Sequence, residues 1–404
     1  MNEFWWERAD LRYVDGRLQL AGQDLAMLAA EGGTPTFVYD AARVRANLAR
    51  LHEALDRHDV PHEIYYAMKA NRSLPMLTWL RLTGRCGLDV CSPNELRLAR
   101  QVGFQQEEIV YTNTSVSNED IEWLARHPRV HVNCDSLSSL RRLAARCPGR
   151  SIGLRVNPQL GMAYNEQLAY SGARATKFGI YAEQLDEALA LAAGADMAVT
   201  TLHFHLGSGY MTPDLPQLDR ILARLGEFAR RIPGLQRLDI GGGLGVRMRP
   251  EEPGLDLDAW AALLAQHARA LGVTMLLEPG DYLVKDAGLL LVEINTVEEK
   301  GGTLFVGVNA GFNLQSLYAY YKMPFAFAPV NWRSRPLEKM TIAGHINEAI
   351  DLFGQDVVLP RPVEGDLLAI LNAGGYGAAM SSNHCMRGQF NEYTIFPAQQ
   401  VATT

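Results

Sequence analysis

The run Tyr65-Tyr66-Ala67-Met68-Lys69-Ala70-Asn71 places a lysine at the end of an apolar stretch that begins at Pro61-His62-Glu63-Ile64. The pattern predicts a buried strand over Ile64–Met68 that ends on Lys69 and turns at Asn71-Arg72-Ser73. An ammonium is costly to bury unless it is paired or neutralised. One route to neutrality is a Schiff base with a carbonyl, the chemistry of a catalytic lysine. The plainer route is a flexible stem that carries the charge out to solvent. Three later runs bear on the choice: His203-Phe204-His205-Leu206-Gly207-Ser208-Gly209, Asp239-Ile240-Gly241-Gly242-Gly243-Leu244-Gly245 and Glu278-Pro279-Gly280-Asp281. Each follows a strand-like segment. Singly, a histidine is commonly a core residue, a triple glycine a turn and Glu-Pro-Gly a strand exit. Together they suit one ligand.

The backbone N–H groups of Gly241, Gly242 and Gly243 can approach a phosphate closely because no Cβ stands in the way. The Ser208 hydroxyl can add a hydrogen bond, and the His205 ring can stack on a flat heterocycle. A carboxylate such as Glu278 can pair with a pyridine nitrogen and keep it protonated, which turns the ring into an electron sink. With Lys69 as Schiff-base partner, the cofactor these residues fit is pyridoxal 5'-phosphate.

Such groups need strand ends to hold them. Strand patterns fall at Ile64–Met68, Gly87–Val90, Ile109–Tyr111, Val130–Val132, Ile152–Val156, Val199–Phe204, Arg237–Ile240 and Met275–Leu277. Helical patterns lie between them, among them Asn94–Val102, Ser136–Arg146 and Leu257–Leu271. Eight alternations over some 250 residues predict an α/β fold with a closed (β/α)₈ barrel, whose ligands gather at the C-terminal strand ends. A doubly wound open sheet carries its phosphate loop after the first strand, whereas here the glycine clusters come late. Beyond residue 285, short β-type runs separated by turn residues predict a mostly antiparallel β-domain. The expected division is a barrel over 35–284 and a β-domain formed by 1–34 with 285–404.

The chain has 404 residues, 48% of them hydrophobic, and a formal charge of −7. This excludes a basic nucleic-acid-binding surface. The N-terminal residues lack the basic start and apolar core of a signal peptide, and no run of about 18 apolar residues could span a bilayer. The five cysteines, Cys86, Cys91, Cys134, Cys147 and Cys385, have no metal-ligand spacing, so no metal is expected. They read as reduced thiols of a cytoplasmic protein.

The Tyr-Ala-Met-Lys-Ala-Asn, His-Leu-Gly-Ser-Gly, Gly-Gly-Gly and Glu-Pro-Gly runs resemble those of the alanine-racemase-fold (fold type III) pyridoxal-phosphate decarboxylases. Gly344-His345-Ile346-Asn347-Glu348 and Gly374-Gly375-Tyr376-Gly377-Ala378 are similar to the diaminopimelate decarboxylase branch. The resemblance covers roughly residues 35 to 390. It implies that Lys69 carries the cofactor, that His205 stacks on the pyridine ring with Asp89 in support, and that Glu278 pairs with the ring nitrogen. It also implies that Ser208, Gly241, Gly242, Gly243 and Tyr376 hold the phosphate. It implies a homodimer with shared active sites, in which Asn347 and Glu348 act in the partner's site. Arg155 reads either as a supporting residue or as a surface one.

Three positions depart from the family pattern. Asp281 stands where arginine normally follows Glu-Pro-Gly, no arginine follows Asn309-Ala310-Gly311 before Tyr321, and Asn347 replaces a cysteine linked to proton return. A carboxylate cannot take over a cation's recognition of an anion. The departures predict a substrate other than diaminopimelate, of the citryl-diaminopropionate type used in siderophore or secondary-metabolite synthesis. Asp281, Tyr318 and Arg387 are then expected to meet the substrate, with His384 and Arg333 as further candidates. Diaminopimelate decarboxylation, decarboxylation of a dibasic amino acid and racemisation are the alternatives. Pairing of the ring nitrogen with Glu278 disfavours the last, because racemases of this fold use arginine there. A non-enzymatic pyridoxal-phosphate carrier would lack the β-domain.

Overall fold

The computed structural model describes residues 4–172 and 174–397. Eight parallel strands close into a barrel: β1 (His62–Ala67), β2 (Gly87–Val90), β3 (Ile109–Thr112), β4 (His131–Cys134), β5 (Ser151–Arg155), β6 (Ala198–His203), β7 (Arg237–Asp239) and β8 (Thr274–Leu277). β8 returns to β1 with Leu277 opposite Ile64. Every expected barrel strand is present, with no end displaced by more than two residues. Apolar side chains such as Leu88, Val110, Leu238 and Leu276 are buried along the strands. The buried charged residues Asp89, Asp239 and Glu278 sit at or just beyond the C-terminal ends of β2, β7 and β8. Since each buried charge is costly, grouping them at one end leaves the rest of the barrel free to pack as an ordinary apolar core.

Short polar residues start the surrounding helices. Ser92, Ser117, Ser136 and Asp256 accept hydrogen bonds from first-turn amides of helices Pro93–Val102, Asn118–Ala125, Leu137–Arg146 and Leu257–Leu271. These caps fix where each helix begins after its strand, and therefore the shape of the barrel's C-terminal rim.

The second region is a mixed sheet built on the long strand Gly288–Lys300. Its first half pairs antiparallel with Thr36–Asp40 and Leu367–Ile370, and its second half with Thr303–Val308. Thr303–Val308 and Leu337–Ala343 run parallel, as do Thr36–Asp40 and Asn391–Ile395. A boundary at residue 35 would put Thr36–Asp40 with the barrel, but its partners are both in the sheet. The strand is buried throughout and too apolar to reveal from its own sequence which sheet completes it. Leu11, Leu18, Leu20 and Leu25 pack on this sheet in a core shared with Val38, Leu289, Val330 and Leu371. The sheet also closes over the barrel rim, where Asn71 Nδ2 donates to the Gly374 carbonyl at 2.9 Å and the Tyr376 amide to the Ala70 carbonyl at 2.8 Å. No helix among the described residues is long and apolar enough to cross a membrane.

Candidate active site at the barrel rim

β1 stops at Ala67, and Met68–Ala70 form one 3₁₀ turn, so Lys69 belongs to this turn and not to the strand. Its Nζ donates to Asp89 Oδ2 at 2.7 Å and lies 3.6 Å from Cys91 Sγ. Asp89 is fully buried behind the lysine, while the lysine's own surface opens into a cavity. Burial works against the ammonium, but Asp89, Cys91, Tyr376 and Glu278 outweigh it and hold its pKa well above the ordinary lysine value. Burial and the nearby Glu278 charge push the Asp89 carboxyl up to about 7, with Lys69 offsetting part of the rise. Asp89 thus contacts Lys69, not His205, whose support the sequence suggested.

A second polar group closes the barrel end. Glu278 Oε2 lies 3.2 Å from His203 Nε2, and Glu278 Oε1 accepts from Thr112 Oγ1 at 3.3 Å. Burial alone would raise the Glu278 pKa, yet His203 and the Lys69 ammonium hold it down to about 2. Asp239, beside it, goes the other way: burial and then the Glu278 charge drive its carboxyl well above the usual range. Two carboxyls thereby divide into one ionised and one protonated member, the arrangement expected when like charges are crowded. Ligand atoms of His203, Asp239 and Glu278 also lie within 4.8 Å of one another, as metal ligands would. The direct His203–Glu278 contact already occupies the facing lone pairs.

The glycine run forms a tight cradle. Gly243 has φ of +95° and its carbonyl accepts from the amides of Gly209 and Tyr210, which ties this loop to the Ser208 loop. A Cβ at Gly242 would run into the Glu278 carbonyl, and one at Gly241 would stand 2.8 Å from His205 Nδ1. The Gly241 amide is spent on Asp239 Oδ1 at 2.9 Å. Among the described residues, the Gly242 and Gly243 amides have no backbone acceptor and are the two available to a phosphate. The His205 ring meets Tyr170 edge-on at 4.7 Å, and burial lowers its pKa to about 3, so it is neutral.

These residues surround a cavity of about 190 Å³. Lys69, His205, Ser208, Gly242, Gly243, Glu278, Asp281 and Tyr376 all line it. Arg155 lines it too, buried, with its guanidinium 4.6 Å above the Phe178 ring. This settles its sequence ambiguity against a surface role. Asp281 is not a bare anion, because Lys285, one helical turn on and buried, donates to Asp281 Oδ2 at 2.7 Å. Several expected site residues do not line the cavity of their own chain: Asp89 and Gly241 lie just behind its wall, and those of the sheet region lie away from it. Asn347 and Glu348 are exposed, with Glu348 3.2 Å from His384. Arg387 contacts His345 at 3.2 Å and Tyr318 contacts Gln355 at 3.4 Å. Arg333 pairs with Asp366 in the sheet region. Sequence reading gave no role to Cys91, Thr112, Tyr170, Phe178 or His203. His203 stood inside a quoted motif, and its place at a strand end was the available signal.

Residues 41–285 match the family described as pyridoxal-dependent decarboxylase, pyridoxal binding domain. The chain is 36% identical to diaminopimelate decarboxylase of Methanothermobacter thermautotrophicus, over 92% of this chain and 89% of the relative. It is 32% identical to the enzyme of that name from Pseudomonas aeruginosa, over 95% and 92%. The crystal structure of diaminopimelate decarboxylase from M. jannaschii in complex with L-lysine superposes with a TM-score of 0.87 at 26% identity, covering 96% of this chain and 93% of that one. Barrel, rim and full-length similarity agree, and the chain belongs to the pyridoxal-dependent decarboxylases, as a pyridoxal-phosphate-dependent amino-acid carboxy-lyase.

Proposed function

We propose that the substrate is diaminopimelate and the product lysine. The observation that carries this reading is the Asp281–Lys285 pair. A lone carboxylate at 281 would oppose any anionic substrate group, and that opposition was one of the three grounds for a citrate-conjugate substrate. With Lys285 buried against it, the position is close to neutral, and the first of the three departures no longer argues for a different substrate. The relatives named above favour diaminopimelate, and none of them supports a siderophore role.

When bound, pyridoxal phosphate supplies a carbonyl to join the substrate amine and a protonated ring to take up the electron pair left by CO₂. Lys69 is its covalent partner and later the amine that releases product. The ionised Glu278 holds a proton on the ring nitrogen, and His203 and Thr112 fix the orientation of its carboxylate. The neutral His205 ring stacks on the cofactor without adding a competing charge. The amides of Gly242 and Gly243, the Ser208 hydroxyl and Tyr376 hold the phosphate. Gly241 shapes the loop by giving its amide to Asp239. Asp89 keeps the freed Lys69 protonated. Arg155 gives the cavity a second cation. Asn347, Glu348, Tyr318 and Arg387 belong to a surface that, in a homodimer, reaches the neighbouring cavity.

Mass spectrometry of products tests the substrate. The holoenzyme is incubated with diaminopimelate, lysine, ornithine, arginine and citryl-diaminopropionate, and lysine from diaminopimelate is the expected product. Turnover of another member with diaminopimelate untouched would overturn the assignment.

A further inference from the structure

Decarboxylation replaces a carbon–carbon bond by a carbon–hydrogen bond, so a proton must reach the carbon that CO₂ leaves. That carbon lies next to the amine that has displaced Lys69, and the donor must stand close to Nζ. Among the described residues, Nζ makes side-chain hydrogen bonds to Asp89 at 2.7 Å and Cys91 at 3.6 Å. Asp89 is buried behind the lysine and is not part of the cavity wall, whereas Cys91 is. Cys91 is also held in place. Its amide donates to Glu95 Oε2 at 2.7 Å, and Ser92 next to it caps helix Pro93–Val102.

We propose that the Cys91 thiol is the proton donor to the substrate carbon, a role that rests on Lys69 being the cofactor's partner. The substrate enters as an ammonium and gives up two protons as it replaces Lys69, which takes both and leaves as an ammonium beside Asp89. After the bond to CO₂ breaks, the electron pair on carbon takes the proton from Sγ and the S–H bond breaks. The thiolate then takes a proton from the Lys69 ammonium, leaving the neutral amine that displaces the product. The product leaves as a free amine and takes up a proton from water, so one proton is consumed for each CO₂ released and the thiol ends as it began. Burial comes first among the influences that push this thiol up to about 12, with Lys69 opposing and Asp89 adding to the rise. At neutral pH Sγ therefore carries the proton it has to give, and is a poor nucleophile toward the cofactor. Lys69 acting as direct donor is the rival.

Two measurements separate the outcomes. In Cys91→Ala, kcat is expected to fall about 10²-fold, the range of general-acid contributions. The fraction of turnovers ending in a carbonyl by-product, the mark of protonation at the wrong carbon, is expected to rise at least about tenfold. Cys91→Ser, a weaker acid in the same place, is expected to fall between. In the wild-type apoprotein, iodoacetamide labelling mapped by mass spectrometry is expected to reach Cys91 only at high pH and to be blocked by pyridoxal phosphate. Labelling that the cofactor does not block would sink the site assignment itself. Blocked labelling with an unchanged by-product fraction in Cys91→Ala would leave the site standing and overturn the thiol's role in favour of Lys69.

Discussion

At the N-terminal ends of the barrel strands, a cavity of about 580 Å³ is lined by Arg129, Arg146, Arg150 and Arg237. At the C-terminal ends, the cavity around Lys69 measures about 190 Å³. In the larger one the charges are mostly paired, although the buried atoms Arg150 Nε and His131 Nε2 have no hydrogen-bond partner among the described residues. Arg129 pairs with Glu107, Arg146 with Glu122 and Arg237 with Glu63, while buried Arg150 donates to the carbonyls of Leu124, His127 and Val130. Around the smaller one, buried carboxylates crowd together, each with one charged or histidine partner or a protonated neighbour. Buried atoms Asp89 Oδ1, His203 Nδ1, Asp239 Oδ2 and Asp281 Oδ1 have no hydrogen-bond partner among the described residues. Exposed arginine–carboxylate pairs contribute little and are common surface features, whereas buried unpartnered polar atoms are expensive and persist where a ligand completes them. Volume is therefore a poor guide to the site in this protein, and the crowding of buried carboxylates beside Lys69 is a better one.

The contrast between the two ends can be broken by substitution. Lys69→Ala is expected to reduce decarboxylation by about 10⁴-fold or more, since no other group can replace the covalent partner. CO₂ release with an unchanged circular dichroism spectrum checks this, and retention of even a tenth of the activity would be incompatible with the account. Glu278→Gln removes the charge that protonates the ring and is expected to cost about 10²–10³ in kcat. An unaltered rate would show that some other group performs that task.

The pH dependence of cofactor uptake sharpens the comparison further. Lys69 has its pKa raised well above the ordinary value, so the apoprotein presents an ammonium at neutral pH. Its interaction with Asp89 contributes stability between about pH 7, below which Asp89 takes up a proton, and the raised lysine pKa, through which it is lost as pH rises. The reactive amine is accordingly scarce at pH 7, and stopped-flow absorbance is expected to show uptake accelerating about tenfold per pH unit between pH 7 and 9. Asp89→Asn lowers the Lys69 pKa and is expected to flatten that slope; an identical slope in the variant would exclude the Asp89 effect. The smallest effect belongs to the other end of the barrel. Arg237→Gln is expected to change kcat less than about twofold and stability by no more than about 0.5 kcal/mol. A large loss of activity there would mean that the N-terminal cavity is part of the functional site.

Much of this was legible in the chain because its signals are local. Strand periodicity, serine and aspartate caps and the glycine runs depend on residues within a few positions of each other, and they located all eight barrel strands. What escaped depends on distant neighbours. Asp89 meets Lys69 across 20 residues, and Glu278 meets His203 across 75. Thr36–Asp40 finds its sheet partners near residues 290 and 393, so no window around it shows where it belongs. Lys285 is a different case. It stands four residues after Asp281, a spacing that places both on one helical face, but the pairing becomes readable only once a helix is known to start at Asp281. Missing it made the carboxylate at 281 look unbalanced and added to the two other departures that made the substrate look unusual. Cys91 was passed over because a single cysteine carries no spacing signal, and its relevance is the distance to one nitrogen.

The most direct test of the account is borohydride reduction of the holoenzyme followed by peptide mapping. A pyridoxyl group on Lys69 alone is predicted, within the peptide carrying Tyr66-Ala67-Met68-Lys69. A pyridoxyl group on Lys285 or any other lysine, with Lys69 unmodified, would contradict the site described.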